Sequence, residues 1–171
     1  TTESRGLGDV YKRQVMNSVF VIDEGRIMAR RDKVGLPTYS VFDDGRNFTP
    51  GPMPGPALVR GWRIGLPICE DIWTADVTEC LAESGAELII SINGSPFEIG
   101  KRDRRISNAV ARVTETGLPL VYVALVGGQD EVVYDGASFA LNSDGSLAAH
   151  LPSFSEAVTT IQLAESFGTL S

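Results

Sequence analysis

The chain has 171 residues, 43 % apolar and 22 % charged, and 15 basic against 22 acidic side chains leave a net charge of −7. These proportions are those of one globular domain and exclude a disordered tail, which lacks the apolar surface to offset chain entropy. An acidic chain with no basic block has no electrostatic grip on nucleic acid or an anionic membrane; its 2 cysteines form no disulfide framework, and its 1 histidine leaves little for a histidine-based metal site. The longest apolar stretch, Leu118 to Val126, contains Pro119 and falls far short of the ~20 residues a spanning helix needs. A cytoplasmic α/β domain is the expectation.

Residues 1–14 differ from the rest. They show no apolar period and carry 3 basic and 2 acidic residues, whereas the remainder carries 12 basic and 20 acidic. The string Gly6 to Gln14 resembles translated sequencing adapter, so a non-native or disordered segment is expected here, followed by a partial domain over 15–171.

Ser18 to Ile22 is a β-branched run, Asp23-Glu24-Gly25 a turn, and Arg26 to Ala29 a second strand, together a hairpin. Lys33 to Gly61, with 6 prolines or glycines between Gly51 and Gly61, reads as one long loop of the kind that is functional when it occurs inside a compact domain. Arg63 to Ile68 is a strand that ends at Cys69. Ala75 to Glu83 suits a helix capped by Thr74, with Gly85 at its end. Glu87 to Ile92 is a buried strand. Ile106, Ala109, Val110 and Val113 mark the apolar face of a helix closed by Gly117. Leu120 to Val123 is a further strand, followed by strands near Val132, at Ala137 to Leu141 and at Ser146 to Leu151, the last two joined by the Asp144-Gly145 turn. Alternation in the middle and strands at the end predict a layered α/β sandwich.

Cys69 follows an apolar strand and stands before Glu70-Asp71 and a helix start, where helix N–H groups favour a thiolate. Taken alone it fits a buried, inert thiol better than a nucleophile, because an unassisted thiol is ionised to only a few per cent at neutral pH. Cys80, inside the next helix, reads as inert, and His150 is too isolated to serve as a base. Asn93, Ser95 and Pro96 fit turn chemistry equally well. Lys101, Arg102, Arg104 and Arg105 form a basic cluster whose arginines read as a solvated helix face. Gly127-Gly128 lacks the full glycine fingerprint and following helix of a phosphate loop.

Four segments alter the reading of Cys69: Lys33 to Asp44 (KVGLPTYSVFDD), Ile68 to Trp73 (ICEDIW), Asn93 to Phe97 with Gly100-Lys101, and Leu118 to Val123 running into Val126-Gly127-Gly128-Gln129-Asp130-Glu131 and Asp135-Gly136. In this order and spacing they resemble the carbon–nitrogen hydrolase (nitrilase) superfamily and, within it, the glutaminase domains of glutamine-dependent NAD⁺ synthetases, over roughly Asn17 to Glu156. The resemblance implies an α-β-β-α sandwich, incomplete here at its N-terminus. It also implies a Glu–Lys–Cys catalytic set: a cysteine that forms a thioester with the amide carbon, a glutamate that moves the proton, and a lysine that stabilises the oxyanion. Cys69 takes the nucleophile's position and Lys33 that of the lysine; the family's glutamate has no match in this chain. Tyr39, Ser95 and Lys101 take positions that grip the charged α-end of L-glutamine, and Glu70 is placed to meet the α-ammonium.

This chain departs from the family pattern at Gly35, Thr38, Asp44 and Ala124, where histidine, asparagine, glutamate and asparagine are usual. The resemblance further implies a downstream synthetase domain of the parent chain, which uses ATP and magnesium, receives the ammonia, and belongs to a homo-oligomer; no cofactor or metal is expected in this part. Two other readings stay open on the sequence: a free-standing amidase or nitrilase of the same superfamily, and a non-catalytic assembly module.

Overall fold

A computed structural model describes residues 15–163 of the chain. The expected non-native segment, 1–14, lies outside the described residues. Strands β1 (Ser18–Asp23) and β2 (Arg26–Asp32) form the expected antiparallel hairpin, with β2 extending three residues beyond the anticipated Ala29. The Lys33–Gly61 segment holds more structure than its prolines and glycines suggested. It contains a single-turn helix, α1 (Asp44–Asn47), and a short strand, β3 (Ala57–Val59). Strand β3 is the sheet's edge, the one position that tolerates a proline-flanked strand. It pairs with β4 (Trp62–Gly65) through a tight turn in which Arg60 and Gly61 both take positive φ.

The expected strand Arg63 to Ile68 stops early. Pro67 cannot donate to a ladder, so β4 ends at Gly65 and Ile68 keeps only one isolated parallel bridge, to Ile92. A 3-10 turn over Cys69–Ile72 then leads to α2 (Asp76–Glu83). Thr74 is not the cap of that helix. Ala75 holds the N-cap position with no side-chain bond, and the Thr78 hydroxyl donates to the Ala75 carbonyl instead. Strand β5 (Leu88–Asn93) precedes the long helix α3 (Lys101–Thr116), which Gly117 closes in the left-handed conformation, its N–H donating to the Val113 carbonyl.

Strand β6 (Leu120–Ala124) completes a parallel trio with β4 and β5. Next comes a separate two-stranded hairpin, β7 (Val126–Gln129) with β8 (Val132–Asp135), so Gly127 and Gly128 belong to a strand. Strands β9 (Phe139–Leu141) and β10 (Leu147–His150) pair antiparallel around the Asp144-Gly145 turn. The six-stranded sheet has the order β10-β9-β6-β5-β4-β3. Among the described residues no helix is long and apolar enough to cross a membrane.

Helices α2 and α3 share one core with the sheet. Val77 and Leu81 of α2 and Ala109 and Val113 of α3 pack with Ile89, Leu120, Tyr122, Phe139 and Leu141. Ile106 and Val110, the other members of the predicted apolar face, border that core. Tyr122 stacks on Phe139 with centroids 4.9 Å apart. The packed layer fixes the strand ends from which the site is built. Leu81 is 0 % exposed, so Leu81→Ala should cost about 2–5 kcal/mol, read as a lower urea midpoint with an unchanged slope.

Candidate active site

Open α/β sheets hold their ligands beyond the carboxyl ends of parallel strands, and the cluster in this chain lies beyond the ends of β4 and β5. After Ile68 the backbone turns at Cys69 with φ +49°. Such a conformation costs a non-glycine residue on the order of 1–3 kcal/mol and persists only where the surroundings impose it. Asp71 supplies that constraint: its N–H donates to the Ile68 carbonyl (3.1 Å) and its Oδ2 accepts the Ile68 N–H (2.9 Å), closing a small ring around Cys69 and Glu70.

The chain leaves β2 at Lys33, whose N–H donates to Asn17 and whose carbonyl accepts from Gly51, both at 2.8 Å. The residue is 3 % exposed, and its ammonium pairs with Asp44 of α1 at 2.5 Å. The departure at position 44 therefore keeps the counter-charge that a buried lysine requires. Gly35 allows a close approach of a different kind: a Cβ there would come within 3.3 Å of both Asp71 Oδ1 and Glu70 Cγ. At Ala124 the backbone N–H donates to the Ser138 hydroxyl at 2.9 Å.

Burial pushes the Cys69 thiol above its ordinary pKa. The Lys33 ammonium opposes that most strongly and a Gly94 backbone hydrogen bond assists it, whereas Glu70 and Asp44 act in the same sense as burial. Both of these carboxylates are held by partners. Asp44 is held by Lys33, and the Tyr39 hydroxyl lies 2.8 and 2.9 Å from the two Glu70 oxygens.

Tyr39, Cys69, Glu70, Ser95 and Lys101 line one cavity of about 260 Å³, completed by Ser40, Phe42, Trp73, Glu98 and Arg104. Lys33 is absent from that lining; its charge favours the Cys69 thiolate. Lys101 is buried at the first position of α3, with its ammonium 2.8 Å from Glu98 Oε1 and 5.9 Å from the Phe42 ring centroid. Arg104 reaches Glu98 Oε2 at 2.9 Å, and together the two cations hold the Glu98 carboxyl below its ordinary value.

The helix-face reading of the arginines fits Arg102, whereas Arg104, though exposed, also lines the cavity on Glu98, and the reading fails for Arg105. Arg105 is 3 % exposed and donates to Asp135 at 2.8 Å and to the Ser95 carbonyl at 2.9 Å. Its partner Asp135 sits at the end of β8, thirty residues away, where no local pattern in the sequence points to it. Asn93 serves the framework: its amide donates to the carbonyls of Ser91 (3.0 Å) and Val123 (3.1 Å), tying β5 to β6. His150 is exposed and faces Arg102 at 2.8 Å. Asp71 and Glu98, two further acidic groups of the site, carried no signal of their own, because the contacts that distinguish them are made only in the folded chain.

With this geometry, the comparisons with known proteins are consistent. The sequence matches the carbon-nitrogen hydrolase family over residues 2–168. The chain belongs to that family of enzymes. It is 46 % identical over 160 residues to the glutamine-dependent NAD(+) synthetase of Rhodobacter capsulatus, a match covering 92 % of this chain and 29 % of that protein. Among solved structures it resembles the glutamine-dependent NAD+ synthetase of Acinetobacter baumannii in complex with ADP, with a TM-score of 0.80, 35 % identity, and coverage of 84 % of this chain and 27 % of that one. A carbon-nitrogen hydrolase of Helicobacter pylori G27 shares the fold, with a TM-score of 0.76 at 23 % identity over 90 % of this chain and 57 % of that one. The fold is thus the α/β fold of the nitrilase superfamily. This chain spans 29 % of the length of the Rhodobacter relative.

Two measurements follow from the geometry. Alkylation of Cys69 by iodoacetamide should rise with pH, and Lys33→Met should move the midpoint further up, because the charge that favours the thiolate is lost; an unmoved midpoint would place Lys33 too far away to matter. Removing one partner of a buried ion pair leaves the other charge unpaired, so Asp135→Ala should cost about 3–5 kcal/mol in urea unfolding, while an Arg105→Met/Asp135→Leu double variant loses less.

Proposed function

We propose that this chain is a glutaminase part of a glutamine-dependent NAD⁺ synthetase, releasing ammonia from L-glutamine through a Cys69 thioester. The observation that supports it is the gathering of Tyr39, Cys69, Glu70, Ser95 and Lys101 around one cavity, with the Lys33 charge acting on the thiol. In this reading the glutamine α-ammonium meets Glu70 and Tyr39, and its α-carboxylate meets Lys101 and Ser95. That grip presents the side-chain amide to Cys69.

The sulfur attacks the amide carbon, and its proton passes by way of a general base to the leaving nitrogen, which departs as ammonia. The Lys33 ammonium stabilises the oxyanion of the tetrahedral intermediate, a contribution of ~2.7–4 kcal/mol for a single donor. Water then hydrolyses the thioester to glutamate and restores the thiol. The ammonia is consumed in a synthetase domain that uses ATP and magnesium to amidate deamino-NAD⁺; those cofactors act there and not at this site.

The test is a synthetase carrying this chain as its glutaminase part. Cys69→Ser should abolish glutamine-driven NAD⁺ formation and spare the ammonia-driven reaction. Lys33→Ala should lower the glutamine-driven kcat by at least ~100-fold, and Lys33→Arg should not rescue it, since a broad guanidinium cannot replace a compact ammonium. Glutamine-driven turnover near the unaltered level in Cys69→Ser would sink the reading. A loss confined to KM in Lys33→Ala would assign Lys33 to ground-state binding instead.

A further inference from the structure

The segment that carries Lys33 and the turn that carries Cys69 share no ladder of hydrogen bonds with each other. Besides the exposed Tyr39–Glu70 contact, they are joined by one buried carboxylate. Asp71 Oδ1 accepts the backbone N–H of Val34 at 3.0 Å and of Gly35 at 2.6 Å, immediately after Lys33. Asp71 Oδ2 accepts the N–H of Ile68 at 2.9 Å, immediately before Cys69. The side chain is 3 % exposed, so these bonds form out of water, where losing one is costly.

The three N–H donors define what can occupy this place: it must accept on both oxygens and donate on neither. A carboxylate does so; a carboxamide has one oxygen and an NH₂ that would face a donor. Burial works against the ionised carboxylate, and the N–H groups of Gly35, Ile68 and Val34, with the Lys33 charge, work for it. The same charge that acts on Cys69 thus also helps to keep its own clamp ionised.

We infer that Asp71 is a positioning residue for the Lys33–Cys69 pair, setting the separation at which the ammonium acts on the sulfur without itself touching substrate. The inference rests on the proposed function only in taking Cys69 as the reacting atom. The groups that act on the sulfur are Lys33 and Asp44 from the segment after β2, Glu70 from the turn, and the Gly94 N–H after β5. The hydroxyls of Tyr39 and, from β6, Tyr122 respond to the thiol's charge in turn. Of these, Lys33 and the turn are the ones that Asp71 ties together.

The experiment is a double-mutant cycle on the pH dependence of Cys69 alkylation by iodoacetamide in the full chain. Labelling at Cys69 is resolved from Cys80 by peptide mass. A neighbouring opposite charge shifts a titration by about 1–3 pH units. Lys33→Met should therefore slow alkylation at neutral pH by at least ~10-fold, and Asp71→Asn by ~3–10-fold, through an upward move of the midpoint. In the Lys33→Met background Asp71→Asn should add nothing to the midpoint, because the charge it positions has gone. A midpoint unmoved by Asp71→Asn, or moved equally in both backgrounds, overturns the inference and reduces Asp71 to a structural group. Neither result bears on whether glutamine is the substrate.

A second measurement needs no Asp71 variant and so survives a failure of Asp71→Asn to fold. In the unaltered chain the amides of Val34, Gly35 and Ile68 should exchange with solvent slowly although none lies within a strand ladder, and Lys33→Met should leave Ile68 protected. Exchange of all three at the rate of unstructured residues overturns the clamp itself.

Discussion

Charge removed from water must be matched inside the protein, and that constraint organises this structure. Lys33, Asp71, Arg105 and Asp135 are each only 3 % exposed. An isolated charge in such surroundings costs many kcal/mol, so each finds a partner, eleven residues away for Lys33 and thirty or more for Arg105 and the Asp71–Gly35 bond. Lys33 is matched by Asp44, Arg105 by Asp135, and Asp71 by backbone N–H groups from two segments. Every pairing pins a loop that the sheet by itself leaves free. The Arg105–Asp135 pair holds the Ser95 turn against the end of β8, and Asp71 holds the strap after β2 against the Cys69 turn.

The sheet contributes the platform. β4 stops short of the end of β5, but the Ile68–Ile92 bridge keeps the chain beside it, which brings the Cys69 turn and the Asn93–Ser95 turn to one edge. The apolar faces of α2 and α3 fix those ends through a core that includes Leu81, Ala109 and Val113. The polar groups of the cavity then sit in the loops and on the first turn of α3, where side chains and N–H groups can be presented to a ligand. The strained φ of Cys69 belongs to this division of labour, since it turns the chain sharply at the end of a strand and is maintained by Asp71 at both N–H and carboxylate.

Electrostatics at the cavity is a balance of opposites. Burial and the carboxylates of Glu70 and Asp44 favour the protonated thiol, while Lys33 favours the thiolate. Lys101 and Arg104 share Glu98 at the cavity wall, and Tyr39 spans the Glu70 carboxylate. The cations of the wall are thus gathered on Glu98, while Glu70 stands with Tyr39.

Much of this was legible before folding. The 3.6-residue spacing of Ile106, Ala109, Val110 and Val113, the β-branched runs at Ser18 and Leu88, and the turn residues at Asp144-Gly145 report local energetics, which depend only on neighbours along the chain. The four motif segments likewise carried the family and the cavity residues Tyr39, Cys69, Glu70, Ser95 and Lys101, because their residue types and order are properties of the sequence itself. The sequence could not show the short strand β3, whose pairing with β4 outweighs its proline-rich flank, nor the early end of β4. Tertiary structure alone decided that Arg105 is buried on Asp135 rather than solvated, that Asp44 serves Lys33, and that Asp71 joins two segments more than thirty residues apart. Those outcomes depend on which charges lose water together when distant segments meet, and a linear chain holds no record of that until the fold brings them into contact.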